Sequence, residues 1–378
     1  MNRATAVLLL LGALQPFIGG CSDRLPPPTG NDPAAAASIA FSWLDAVGTG
    51  VDEPSHIGVV TPMGRDRSER TSLGPGIILA MSKNRKIVTS RTDVYGTVSL
   101  WYGSIDSNDL VQFAVEASGE TIDRASVAIS DDGTGIAYYA GDPYNGTFAL
   151  NVLDMNSQLI PFQSFPLQTP GGAFAFPAPA FSPDGQSIAF VDQDPIQGGF
   201  QLVVTPIMSY YPVVVAGNVA PLSSFAIDWS PSGEKILYPG VDMTGGSRTG
   251  IYAADPAGIR PVDTVALAAE EELALEPVSS ADGRKIAYVT FTVSGQSAIH
   301  LFDVASKQDR QVLSSPVSIV AMQWSPDGSK LLYTESDLSV MTPDFEFKLL
   351  DGTLKAMETA TGRSWPIASD AVRGFWME

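Results

Sequence analysis

Apolar and polar positions alternate in short bursts along most of this chain, and the bursts recur at a steady spacing. The clearest unit is residues 180–194, AFSPDGQSIAFVDQD. An apolar run ends in an aromatic, Ser-Pro-Asp-Gly turns the chain, and a second apolar run leads to an Asp. Close copies begin at Asp228 (DWSPSGEKILYPGVD), Gln323 (QWSPDGSKLLYTESD) and Ala128 (AISDDGTGIAYYAGD), with looser ones at Val278 and Ala80. The first strong apolar residue after each turn is Ile87, Ile136, Ile188, Ile236, Ile286 and Leu331, at intervals of 49, 52, 48, 50 and 45 residues. Short apolar runs bounded by Pro, Asp and Gly read as strands, because these residues preset or tolerate turn dihedrals. Each unit holds four such runs; in the third they span residues 178–182, 187–191, 200–205 and 213–216. Four short strands per unit of roughly 40–50 residues predict an all-β propeller of four-stranded blades. A solenoid would favour shorter units and end caps.

The ends of the chain extend the count. Ile39, Trp43 and Val47 fit a helical period, yet SIAFSWLD from Ser38 also matches SIAFVDQD from Ser187, and Ile39 lies 48 residues before Ile87. On the second alignment the N-terminal segment supplies strands two to four of a further blade and lacks strand one. At the other end, residues 354–358 and 364–367 read as strands three and four. Residues 371–378 (AVRGFWME) then parallel IVAMQWSP from Ile319, placing Trp376 where Trp324 stands. Such a strand would complete the N-terminal blade and remove an open sheet edge. Seven blades are favoured, with six blades preceded by a helix as the alternative. The aromatic series Phe181, Trp229, Trp324 and Trp376 is expected between blades.

The repeat W-S-P-D-G-x-x-I-A-F, followed by an I-Y-x-x-D strand, resembles the TolB-like β-propeller repeat. Trp229-Ser230-Pro231, Trp324 to Gly328 and Ile251 to Asp255 carry the likeness, which spans about residues 75–360. It implies the fold and little about activity, since one fold hosts many functions.

Ahead of the repeats, residues 1–20 have the form of a secretory signal: Arg3, then an apolar run from Ala4 to Leu14. That run is too short to span a bilayer as a helix. Ile18-Gly19-Gly20-Cys21 resembles a bacterial lipobox, and Cys21 is the only cysteine. The resemblance implies a lipoprotein with Cys21 as the acylated N-terminus, carrying palmitate-type chains. Ser22 after it is similar to outer-membrane sorting. Residues 21–33 read as a tether and 34–378 as one propeller domain. Loss of the leader leaves 21 basic against 41 acidic residues. That balance opposes nucleic-acid binding, which needs a basic surface. The expected location is the bacterial envelope, at the outer membrane facing the periplasm or at the cell surface, as a monomer.

Candidate chemistry is sparse. The two histidines, His56 and His300, fall in non-adjacent blades, too far apart to act as a pair. No Gly-x-Ser-x-Gly nucleophile elbow occurs, and no cofactor or metal is expected. Six residues past each apolar mark stand Asp45, Asp93, Asp142, Asp194, Asp242 and Asp337, with Thr292 breaking the series. They would ring one face, either as turn caps or as an acidic rim for a basic partner segment. A second candidate is the long connection after Leu331, where Phe345, Phe347 and Leu349 could form a docking loop. The leading expectation is a lipid-anchored, non-catalytic propeller binding a protein or peptidoglycan-associated partner. The alternative is an envelope hydrolase or lyase working with paired carboxylates, which would stand about 5–10 Å apart in a deep pocket.

Overall fold

The computed structural model describes residues 38–44, 55–142, 147–156, 163–166, 177–194, 199–208, 211–220, 226–242, 248–269, 272–292, 294–336 and 352–377. Cys21, the tether, Asp45, Asp337 and the segment holding Phe345, Phe347 and Leu349 lie outside the described residues. Among those described, helix is confined to two 3-10 turns, and the rest is strand and connection.

The strands pair antiparallel in chain order, as consecutive hairpins must. Four sheets have four strands each: Ile77–Met81, Lys86–Thr92, Val98–Ser104 and Leu110–Val115; Ala180–Phe181, Ser187–Gln193, Phe200–Pro206 and Val213–Ala216; Asp228–Trp229, Ile236–Asp242, Arg248–Ala254 and Asp263–Leu267; Glu272–Ser279, Lys285–Thr292, Ser297–Asp303 and Gln308–Ser315. A fifth, formed by Gly135–Asp142, Thr147–Asp154 and Gln163–Pro166, has its first strand split into Thr121–Ile122 and Ala128–Ile129. The sixth is longer. Ser318–Trp324, Lys330–Ser336 and Gly352–Glu358 pair onto the first half of Ser364–Met377, whose second half pairs onto Ser38–Leu44, followed by Ser55–Val60 and Ser68–Glu69. Asp370, at φ +56°, marks the break between the halves. The Ser38 segment is therefore strand, not helix. Ile39, Phe41 and Trp43 pack on one side with Trp376 and Leu332, while Ala40 packs on the other with Phe375 and Ile78. Burial of both faces overrides the helical spacing.

Register repeats with the sequence. Phe181 lies opposite Ile188, Trp229 opposite Ile236, Trp324 opposite Leu331, and Trp376 opposite Ile39. Within the hairpins, the turn that joins the two strands is built by one serine. Ser182 Oγ donates to Asp184 Oδ1 (2.5 Å) and accepts from the Ser187 N–H (2.9 Å), while Gly185 at φ +66° closes the bend. Ser280 with Asp282 and Ser325 with Asp327 do the same. In the degenerate copy, Ser82 keeps the hydroxyl and Arg85 takes the left-handed position at φ +60°.

The core lies between sheets. The first strands touch in sequence from Ile77–Met81 through Ala128–Ile129, Ala180–Phe181, Asp228–Trp229, Glu272–Ser279 and Ser318–Trp324 to Ser364–Met377, which returns to Ile77–Met81. Indole groups staple neighbours: Trp229 Nε1 donates to the Ala180 carbonyl (2.9 Å) and Trp324 Nε1 to that of Val278 (3.0 Å). Phe181, Trp229 and Trp324 pack between sheets, whereas Trp376 packs between the two halves of the seven-stranded sheet. The architecture is an all-β propeller.

Candidate functional site

The four described members of the Asp series all stand where the second strand of a sheet hands over to the third. Asp93 caps its hairpin: Oδ1 accepts the N–H groups of Tyr95 and Thr97, both at 2.9 Å. Thr292, which breaks the Asp pattern, keeps the same job, since its Oγ1 accepts the Gln296 N–H (3.2 Å). Asp142 ends its strand opposite Thr147, Asp242 lies opposite Arg248, and the Asp194 N–H donates to the Gly199 carbonyl (2.7 Å). The residues thus share one end of equivalent strands, on successive sheets rather than around one point. At Asp93 the carboxylate is used by its own turn, as a short polar side chain at a tight bend should be.

A second polar set lies on the ring of first strands, and the repeat did not point to it. Asp228 accepts the Ser279 N–H of the next sheet (2.7 Å), and burial pushes its carboxyl up to about 6. Glu276, 5% exposed and at φ +51°, is pushed by burial up to about 7, opposed by Arg373 and by the N–H groups of Met322 and Ala321. Gln323 Oε1 accepts the Trp376 N–H (2.8 Å), and Arg373 Nη1 donates to the Leu79 carbonyl (2.8 Å). Each side chain reaches the backbone of the next first strand, so these groups stitch the ring. Their signal in sequence is faint: Glu276 is a lone charge inside the apolar run LALEPV.

The histidines occupy separate sheets. His56 stacks on Trp43 (centroids 5.1 Å apart) with Nδ1 2.7 Å from Glu69 Oε1. His300 stacks on Tyr288 (4.9 Å) with Nδ1 3.0 Å from Asp309 Oδ2. Among the described residues no three His, Cys, Asp or Glu side chains gather as a metal site would require.

A cavity of about 220 Å³ opens between the sheet beginning at Ile77 and the split-strand sheet beginning at Thr121. Val115, Glu120, Ile122, Tyr138, Ala140, Ala149 and Asn151 line it, so it holds a single carboxylate.

No family model matches the chain. TolB, a Tol-Pal system protein of Alcanivorax borkumensis, is 35% identical over 102 residues, covering 27% of this chain and 23% of the relative. The chain thus matches about a quarter of that relative's length. TolB of Acinetobacter baumannii superimposes with a TM-score of 0.52 at 16% identity, over 94% of this chain and 88% of that one. The β-propeller domain of the trilobed protease from Pyrococcus furiosus gives 0.58 at 12% identity, over 88% and 92%. A likeness at this identity is one of fold. Repeat, sheet order and superposition agree: the chain has a β-propeller fold similar to that of TolB.

Proposed function

We propose that the chain is a lipid-anchored, non-catalytic propeller of the bacterial envelope that binds a protein or peptidoglycan-associated partner through one face. Residues 34–378 are read as one domain of seven blades, the Ser38 strand and the C-terminal strand sharing a blade. Cys21 carries the lipid, and residues 22–33 lift the domain from the membrane. The observation that carries the binding reading is the shared placement of Asp93, Asp142, Asp194 and Asp242 at one end of equivalent strands, on a chain of net charge −19. Carboxylates on successive sheets give a distributed field that attracts cationic segments, whereas catalysis by paired carboxylates needs two in one pocket. The Tol-Pal relative and the lipobox-like leader support an envelope location.

The test has two parts. Acyl chains on Cys21 should be found by mass spectrometry of membrane-extracted protein, and Cys21→Ser should abolish them; an unacylated wild-type protein contradicts the anchor. Crosslinking in the native envelope should capture a partner. Changing Asp142, Asp194 and Asp242 together to Asn should weaken that capture while the thermal midpoint moves only a few degrees. A large loss of stability with capture intact would assign these residues to turn capping alone.

A further inference from the structure

We propose that the cavity between the sheet beginning at Ile77 and the split-strand sheet beginning at Thr121 anchors one lysine or arginine side chain of a protein partner, its cationic head held by Glu120, Tyr138 and Asn151. This inference rests on the reading of the chain as a partner-binding propeller and gives that reading a specific contact.

The cavity follows from the sequence of the sheet that forms its floor. Tyr138 lies opposite Asn151 and Ala140 opposite Ala149, so these four side chains share one face of the hairpin. Further in, Ile122 pairs beside Ala140 and fills the space against Val98 and Leu100 of the neighbouring sheet. Further out, two alanines leave room that Val115 and Glu120 do not fill. The opposite face of the same hairpin, with Ala137, Tyr139, Leu150 and Val152, is closed against the next sheet.

Size and chemistry then choose the occupant. At about 220 Å³ the cavity is smaller than the roughly 300–1,000 Å³ of sites for drug-sized ligands, and suits a single side chain. Val115, Ile122, Ala140 and Ala149 offer apolar wall for the methylenes of a long cationic residue, which pack well on such surface. Each polar group carries an oxygen that can accept a hydrogen bond. Glu120 is an exposed carboxylate with no ion pair among the described residues. Asn151 Nδ2 turns to the Ala149 carbonyl (3.5 Å), leaving its own carbonyl oxygen to accept. The Tyr138 ring is fixed edge-on by Phe113 (6.1 Å), and burial and the nearby Glu120 charge hold its phenolic proton more tightly than usual. The lining residues include no basic side chain to compete with an incoming cation. Approach is open: Leu110–Val115 is the outermost strand of its sheet, and Val111 and Val115 on it are 63% and 54% exposed. An extended segment can lie along such an edge and direct one side chain inward.

The experiment uses the full chain and a short extended peptide carrying one lysine between valines, with its acetyl-lysine counterpart, titrated by calorimetry. The lysine peptide should bind and the acetylated one should not. Glu120→Gln should weaken binding about tenfold or more, as for truncation of one partner of a charge pair, with an unchanged melting temperature because Glu120 is exposed. Tyr138→Phe should weaken it less. Equal binding by wild type and Glu120→Gln, or no binding by wild type, overturns the cavity proposal. Loss of peptide binding in the Asp142, Asp194 and Asp242 triple variant, with Glu120→Gln intact, would move the contact to the rim and leave the partner reading standing. Failure to capture any partner in the envelope, with the peptide still bound at Glu120, would instead count against the partner reading alone.

Discussion

Glu276 and Asp228 hold their protons more tightly than free carboxyls do, because each is buried against the backbone of a neighbouring first strand. A carboxyl whose folded value is raised binds more protons when folded, so its contribution to stability falls as pH rises from its ordinary value to the folded one. For Glu276 that window runs from 4.5 to about 7, and for Asp228 from 3.8 to about 6. Asp132, Asp184 and Asp282 pull the other way: hydrogen bonds from Ser130, Ser182 and Ser280 lower them, so their contribution is lost as pH falls below the ordinary carboxylate range. Urea midpoints should therefore be highest near pH 5 and decline towards pH 7.5. Glu276→Gln should flatten that decline, a difference on the order of 1–3 kcal/mol. A profile rising steadily from pH 5 to 8 would contradict the burial of Glu276. None of this was legible in the repeat. A periodic motif reports what every unit shares, while Asp228, Glu276, Gln323 and Arg373 differ from sheet to sheet.

The turns were the most legible element, because Ser, Asp and Gly act locally and need no tertiary context. Gly328 and Gly362 separate two reasons for glycine. At Gly328, φ is +67° and nothing beyond its chain neighbours lies within 4 Å of where a methyl group would stand. Gly328→Ala should therefore cost about 1 kcal/mol, from backbone strain alone. Gly362, at φ +73°, would place that methyl against the Val312 carbonyl, so Gly362→Ala should cost clearly more. Chemical denaturation of both variants checks the order, and equal losses would contradict the packing at Gly362. Strands two, three and four of the third unit lie where alternation predicted them, within two residues. What alternation missed was set by packing. The first strand before Gly135 is broken around the 3-10 turn Arg124–Ser126, and Ser364–Met377 runs as one strand through two pairings. A helical spacing at Ile39 and Trp43 was equally readable, and only the burial of both faces decides for strand.

At the scale of the whole molecule, the account rests on closure. The ring of first strands returns to its start through residues 371–377, and the bonds at that seam match those elsewhere: Gln323 to the Trp376 N–H, then Arg373 to the Leu79 carbonyl. Closure leaves the N-terminal strand paired on both sides, by the strand from Ser55 and by the C-terminal strand. The anchor proposed at Cys21 precedes this same sheet in sequence. The most direct measurement compares urea midpoints of the chain with and without residues 371–378. Val372, Phe375, Trp376 and Met377 are all buried, and each large apolar side chain contributes roughly 1.5–3 kcal/mol. The account predicts a loss of several kcal/mol, aggregation through the newly exposed edge of Ser38–Leu44, and much of the same loss from Trp376→Ala alone. An unchanged midpoint in the truncated chain would contradict closure through the C-terminal strand.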